Sequence, residues 1–175
     1  MATELQNLSK YDSTRIPDAS DSKFGIVVAE WNQEVTEKLL LGCISGLKEN
    51  GVKEKNIRVQ HVPGSFELPT GAQILLDSFK PDSVICLGCV IKGETSHNEY
   101  INQSVATAIQ GLSLFYRKPV IFGVLTPNNL QQAKDRAGGK HGNKGVEAAI
   151  TAIKMVAARK NQSITGSNKI VGFFK

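Results

Sequence analysis

Ser83-Val84-Ile85-Cys86-Leu87-Gly88-Cys89-Val90-Ile91-Lys92-Gly93-Glu94-Thr95-Ser96-His97 is the stretch on which the fold turns. It begins almost wholly apolar, passes through a glycine and small hydroxyl residues, and meets a helical pattern near Asn98. A short apolar run bounded by turn residues reads as a buried strand, Ser83 to Val90, and the remainder as a strand-to-helix turn. Backbone N–H groups left free at a helix start attract anions, and the helix dipole adds to the attraction. Gly93 lets a ligand come close to the backbone. His97 stands where the helix begins, and an imidazole, with an ordinary pKa of about 6.5, suits proton transfer. A solvated surface histidine is the plainer alternative, which the rest of the chain has to displace.

Working outward, Phe24-Gly25-Ile26-Val27-Val28-Ala29 reads as a strand buried on both faces, ended by Glu30-Trp31-Asn32. Val35, Leu39, Cys43 and Leu47 then recur at helical spacing, and Asn50-Gly51 stops that helix. Ile57 to Val62 is a second, alternating strand. Pro63 to Pro69 turns into a helix whose apolar face is Leu68, Ala72, Leu75, Leu76 and Phe79, broken at Lys80-Pro81-Asp82. Beyond His97 come a helix with Ile101, Val105, Ala108, Ile109 and Leu112, and a fourth strand, Val120 to Leu125. Asn128, with Gln131 three residues on, predicts a capping box and a helix running to Gly138-Gly139. A loop, Lys140 to Asn143, leads to a last helix with Val146, Ala149, Ile150, Ile153 and Ala157. This order predicts an α/β fold with a parallel sheet and helices on both faces.

The 175 residues are 41% hydrophobic and 21% charged, which suits one domain with a real core. We expect an N-terminal arm at 1–22, a main domain at 23–160 and a tail at 161–175 whose apolar end, Ile170 to Phe174, packs on its own or a neighbouring subunit. There is no run long enough to span a membrane, and the polar Met1 to Lys23 lacks a secretory signal, so a cytoplasmic location is expected. The net charge is +5, but the cations are scattered and do not interleave with the aromatic residues. That suits a small anionic substrate better than nucleic acid. Cys43, Cys86 and Cys89 are an odd number, arguing against a disulfide framework. Cys86 and Cys89 form a C-x-x-C, but three residues along a strand they face opposite sides, roughly 10 Å apart, and no second pair completes a metal site.

Three unusual turns follow three strands: Glu30 to Asn32, Pro63 to Glu67, and Val90 to His97. In a parallel sheet they meet at the carboxyl edge, where such sheets bind ligands. Trp31 either stacks on a flat heterocycle or lies in the core. Glu67 either accepts hydrogen bonds from a ligand or favours a helix start. Ser65 and Phe66 offer backbone groups and an apolar wall. Arg136 lies at the far end of the helix that opens near Asn128; nine residues of helix rise about 13 Å, away from that edge. An anion-binding Arg136 therefore reaches a neighbouring subunit's site, and Phe122, early in its strand, raises the same issue. The alternative for Arg136 is a salt bridge with a nearby acid.

Pro63-Gly64-Ser65-Phe66-Glu67, Val90 to His97, Phe122-Gly123-Val124-Leu125-Thr126, and Gln132 to Gly138 with Gly142-Asn143-Lys144-Gly145 resemble the lumazine synthase family, in order and spacing, over about residues 24–158. The resemblance implies a flavodoxin-like three-layer sandwich on a four-stranded parallel sheet. It also implies a homo-oligomer: a pentamer, and in many members an icosahedral capsid of sixty chains. The implied reaction, in riboflavin biosynthesis, condenses 5-amino-6-(D-ribitylamino)uracil with 3,4-dihydroxy-2-butanone 4-phosphate to 6,7-dimethyl-8-ribityllumazine, releasing phosphate and water. No metal or redox cofactor is needed, and an association with riboflavin synthase is left open. Carried over by position, His97 is the proton donor and acceptor, and Trp31 stacks on the pyrimidine. Ser65, Phe66, Glu67, Cys89, Val90 and Ile91 line the pyrimidine and ribityl site, with Phe122 from the adjacent subunit. Glu94 and Thr95, through backbone N–H groups, and Arg136 hold the phosphate, and Lys144 is a candidate for electrostatic help.

Glu94 stands where small residues are frequent, so its carboxylate should point away. Asn98 occupies a place often aromatic, and Pro127 is unusual before the fourth helix. The loop Gly138 to Gly142 lacks the insertion of members that stop at pentamers, which favours a capsid by analogy. Two other readings remain at this point. One is a non-catalytic lumazine- or flavin-binding relative; the other is a flavodoxin-like module using the C-x-x-C as a redox element.

Overall fold

Phe24–Ala29, Ile57–Val62, Ser83–Cys89 and Val120–Leu125 form strands β1 to β4 of one sheet in the order β2-β1-β3-β4, every pairing parallel. The computed structural model describes Ser9 and residues 11–164. All six residues of β1 and all seven of β3 are buried, as expected of central parallel strands covered on both faces. On one face lie helices α1, Gln33–Glu49, and α5, Lys144–Ile164; on the other lie α2, Leu68–Ser78, and α3, His97–Tyr116. Alternate strand residues feed the two layers. Ile26, Val28, Ile85, Leu87 and Cys89 pack towards α1 and α5, while Val27, Ala29, Val84 and Cys86 pack towards α2 and α3. The fold is the flavodoxin-like three-layer sandwich.

Cys86 and Cys89 thus lie on opposite faces of β3, both buried, and no disulfide joins them. Burial pushes each thiol up to about 12, so neither is a ready thiolate. A redox role for the C-x-x-C finds no geometry here.

Helix boundaries follow the punctuation of the sequence. Asn50 caps α1 and Gly51 follows at φ +88°, a left-handed conformation suited to glycine. A 3-10 turn at Ser65–Glu67 leads into α2, whose first turn takes Pro69. Two expectations need correction. The helix after β4, α4, is Leu130–Asp135, six residues and not the longer one predicted, so it rises about 9 Å. Its cap is Asn129, one residue later than the spacing suggested: Asn129 Oδ1 accepts from the Gln132 N–H at 2.9 Å, while Gln132 Oε1 accepts from the N–H of Asn128, the residue before the cap, at 2.8 Å. The stretch expected as a loop before α5 is a small antiparallel hairpin, β5 at Ala137–Gly139 and β6 at Gly142–Asn143. Glycines supply its bends, Gly138 at φ +105° and Gly142 at φ +83°.

The polar segment before β1 is tied to the sandwich. Ala19 is 2% exposed and joins the α1–α5 core, Tyr11 Oη accepts from Asn50 Nδ2 at 3.2 Å, and Ser9 Oγ donates to the Asn143 carbonyl at 3.1 Å. The apolar tail end, Ile170 to Phe174, lies outside the described residues.

Candidate functional site

The chain leaves β1 for β2 on one side of it and reaches β3 on the other, so their carboxyl ends flank the point where the winding reverses. Open α/β sheets bind ligands there. The three turns singled out above extend the sheet at this edge. The Glu30 N–H donates to the Val62 carbonyl at 2.9 Å, and the Trp31 N–H to the Pro63 carbonyl at 3.2 Å. Asn32 Nδ2 donates to the Cys89 carbonyl at 2.8 Å, joining the turn after β1 to the end of β3. Asn32 adopts φ 60°, ψ 42°, a left-handed conformation that asparagine tolerates better than most residues. It is a site residue that the reading of the sequence passed over, and its signal was an asparagine directly before a helix.

Together the turns enclose a cleft of about 570 Å³. Of the residues expected to bind the pyrimidine and ribityl groups, Trp31, Ser65, Phe66, Glu67, Cys89, Val90 and Ile91 all line it, with Thr95 and His97 at its α3 end. Trp31 is 74% exposed and Phe66 57%, so the core alternative for the tryptophan fails and two aromatic faces are offered to a planar ligand. Glu67 has both properties considered for it: it lines the cleft, and its Oε2 accepts from the Gly64 N–H at 3.0 Å. The second contact fixes the carboxylate and the turn that carries it.

At the other end, α3 begins at His97. The His97 N–H donates to Thr95 Oγ1 at 3.4 Å, while the backbone N–H groups of Gly93, Glu94, Thr95 and Ser96 have no hydrogen-bond partner among the described residues. Nothing lies within 4 Å of where a Gly93 side chain would begin. The loop is open, donor-rich and at the positive end of a twenty-residue helix. Glu94 is exposed and is not among the residues lining the cleft.

Phe122, Arg136 and Lys144 do not line this cleft. Phe122 is part-buried in β4 against the α2–α3 layer. Arg136 caps the short α4, and the salt bridge weighed for it is present: Nη1 lies 3.0 Å from Glu147 Oε1, and Nη2 donates to Oε2 at 3.2 Å. Lys144, the first residue of α5, reaches the same Glu147 Oε2 at 3.3 Å. Asn143 sets this corner. Its Oδ1 accepts from the N–H groups of Gly145 at 2.7 Å and Val146 at 3.4 Å, and its Nδ2 donates to the Lys38 carbonyl at 2.8 Å. Gly145 is obligatory there, because an added Cβ would sit 1.9 Å from the Leu39 carbonyl oxygen of α1.

Among the lining residues the one carboxylate is Glu67, and neither lysine nor arginine is present. The cleft of one chain therefore offers backbone N–H groups and a histidine to an anion, but no permanent cation. Among the described residues, no helix is long and apolar enough to cross a membrane.

A family model described as 6,7-dimethyl-8-ribityllumazine synthase matches residues 21–160. Proteins of that name from Parabacteroides distasonis and Cytophaga hutchinsonii are each 55% identical to this chain, over 156 and 157 residues. These alignments cover 89% and 90% of this chain and 98% of each relative. The protein of the same name from Porphyromonas gingivalis is 50% identical over 160 residues, 91% of this chain and 99% of its own length. On these matches, the chain belongs to the 6,7-dimethyl-8-ribityllumazine synthase family.

Proposed function

We propose that this protein is a 6,7-dimethyl-8-ribityllumazine synthase, condensing 5-amino-6-(D-ribitylamino)uracil with 3,4-dihydroxy-2-butanone 4-phosphate in riboflavin biosynthesis. The observation that carries the reading is the convergence of three turns on one cleft, with aromatic faces at one end and His97 beside unpaired N–H groups at the other. Trp31 and Phe66 hold the pyrimidine ring, and the Glu67 carboxylate accepts hydrogen bonds from the ribityl hydroxyls. Ser65, Cys89, Val90 and Ile91 complete that wall. The N–H groups of Glu94 and Thr95 receive the phosphate. The substrate amine attacks the ketone, an imine forms with loss of water, phosphate leaves, and the ring closes with loss of a second water. His97, within the same cleft, moves the protons. The non-catalytic alternative gains no support from the relatives, which carry the enzyme's name.

The working unit on this reading is a homo-oligomer, a pentamer that can assemble further into a capsid. A phosphate dianion in a cleft without Lys or Arg needs cations from elsewhere, and Arg136 and Lys144 stand outside their own chain's cleft. Helix α3 also leaves Tyr100, Leu114 and Phe115 at 73%, 71% and 81% exposure, an apolar face suited to a neighbouring copy. Phe122 reaches the adjacent pyrimidine on the same reading. We take residues 23–160 as the synthase domain, flanked by the arm at 1–22 and the tail at 161–175, in a cytoplasmic enzyme.

Incubating both substrates and following lumazine absorbance tests the activity. General acid–base help is worth about 10²–10⁴ in rate while positioning supplies more, so His97→Ala slows turnover without abolishing it. An unchanged rate removes His97 from its role. Mixing His97→Ala with Arg136→Ala subunits tests sharing: activity recovered above either parent supports a joint site, and none recovered refutes it.

A further inference from the structure

Glu147, at the start of α5, is the acid that the two cations share. Arg136 meets both of its carboxylate oxygens, at 3.0 and 3.2 Å, and Lys144 Nζ donates to Oε2 at 3.3 Å. The side chains of Arg136, Lys144 and Glu147 are 23%, 31% and 14% exposed, so the carboxylate is the most enclosed of the three. A second fixed point is the His141 carbonyl in the β5–β6 turn, which accepts from Arg136 Nη1 at 2.9 Å. One of the two Nη1 hydrogens points there, and Glu147 Oε1, 3.0 Å from Nη1, is close to the charge but has no well-directed hydrogen bond among the described residues. A buried carboxylate oxygen left so is costly for a merely structural tie.

We propose that Glu147 is a positioning residue for the reaction, holding the Arg136 guanidinium and the Lys144 ammonium side by side as a preformed receptor for the substrate phosphate. The proposal rests on the reading of Arg136 given above. Two cations on one corner repel, and a single enclosed carboxylate between them relieves that while leaving the group net positive. A guanidinium has five N–H donors and an ammonium three. His141 and Glu147 take two from Arg136, and Glu147 takes one from Lys144, so both cations keep donors for an incoming anion. Glu147 sits one helical turn from Lys144, which makes the spacing independent of any flexible loop.

The test is steady-state kinetics on the assembled full-length protein, with each substrate varied in turn. Partners that orient a charged ligand-binding group commonly cost about ten-fold or more when lost, as around metal ligands. Glu147→Ala is therefore expected to raise KM for the phosphorylated substrate about ten-fold, with kcat and the KM of the aminouracil within about three-fold. Glu147→Gln, which keeps the volume and one acceptor but not the charge, should fall between. Because Glu147 acts through Arg136, Arg136→Ala combined with Glu147→Ala should be no worse than Arg136→Ala alone. If Arg136→Ala raises that KM while Glu147→Ala or, where the alanine variant does not assemble, Glu147→Gln leaves it unchanged, the positioning role is overturned and the reading of Arg136 stands. A loss in the double variant that is the full sum of the two also overturns it. If Arg136→Ala itself changes nothing, the phosphate reading of Arg136 fails and takes this inference with it.

Discussion

Replacing Asn143 tests how the α1–α5 layer fixes the corner that carries Lys144. Asn143→Ala removes the cap on α5, which accepts from Gly145 at 2.7 Å and Val146 at 3.4 Å; losing a cap costs about 0.5–2 kcal/mol. It also removes the Nδ2 bond to the Lys38 carbonyl at 2.8 Å, a contribution of about 0.5–1.5 kcal/mol. The side chain is in tight contact as well: a Cβ on Gly42 would come within 2.5 Å of its Cγ, so alanine leaves a small void between the helices. The sum is about 1–3.5 kcal/mol. Asn143→Ser restores a capping oxygen but not the reach to Lys38 and should recover about half. The measurement is denaturant unfolding at one fixed protomer concentration, since assembly itself adds stability. The expected result is a lower midpoint with unchanged slope, ordered wild type, serine, alanine. An alanine variant within about 0.5 kcal/mol of wild type, the usual range for a neutral surface change, would refute the account. So would a serine variant no better than alanine.

Burial holds the Cys86 and Cys89 thiols neutral up to about 12, against 9.0 for a free thiol. Folding keeps a proton that the unfolded chain releases, so the stability is fully present below about pH 9 and is lost as pH rises towards 12, at about 1.4 kcal/mol per pH unit per thiol. Cys86→Ala should flatten the alkaline stability slope by one proton; an unchanged slope counts against its burial. Trp31 is the one tryptophan of the sequence and is 74% exposed on the cleft. Its fluorescence should shift and quench when the aminouracil is added and stay still with inorganic phosphate; no response to the aminouracil would remove Trp31 from the pyrimidine site.

The sheet was legible because its signals are local. Phe24 to Ala29 and Ser83 to Cys89 are continuous apolar runs, and a strand buried on both faces can carry little else. Helices α1 and α2 declared their ends through Asn50-Gly51 and Pro81, and once the order was parallel, topology alone sent three turns to one edge. The errors came where adjacent residues compete for one role. Asn128 and Asn129 are both good caps, with Gln131 and Gln132 both available three residues on; the pairing that won places Ala133 in the core. The β5–β6 hairpin has no alternating pattern to announce it: it is glycine-rich, with Gly138 and Gly142 in left-handed conformations, and it lies against α1 and α5.

Arg136 marks a different limit. Its distance from the catalytic edge was argued from a nine-residue helix, and the helix has six. It is nevertheless absent from its own chain's cleft, because the hairpin and Glu147 hold it in the α1–α5 layer while the cleft opens between the turns after β1, β2 and β3. A guanidinium whose charge is half-satisfied by one enclosed carboxylate, and which still keeps free N–H donors, is poorly explained by the stability of one chain: breaking even with a hydrophobic replacement is the usual fate of such pairs. It is better explained if an anion arrives from outside. The feature that separates the two explanations is the cleft itself, which presents donors and a histidine to a phosphate and lacks the cation a dianion requires. On the oligomer proposed above, those two deficits are complementary, and a rotation that repeats one protomer around a closed ring would satisfy every copy of both at once.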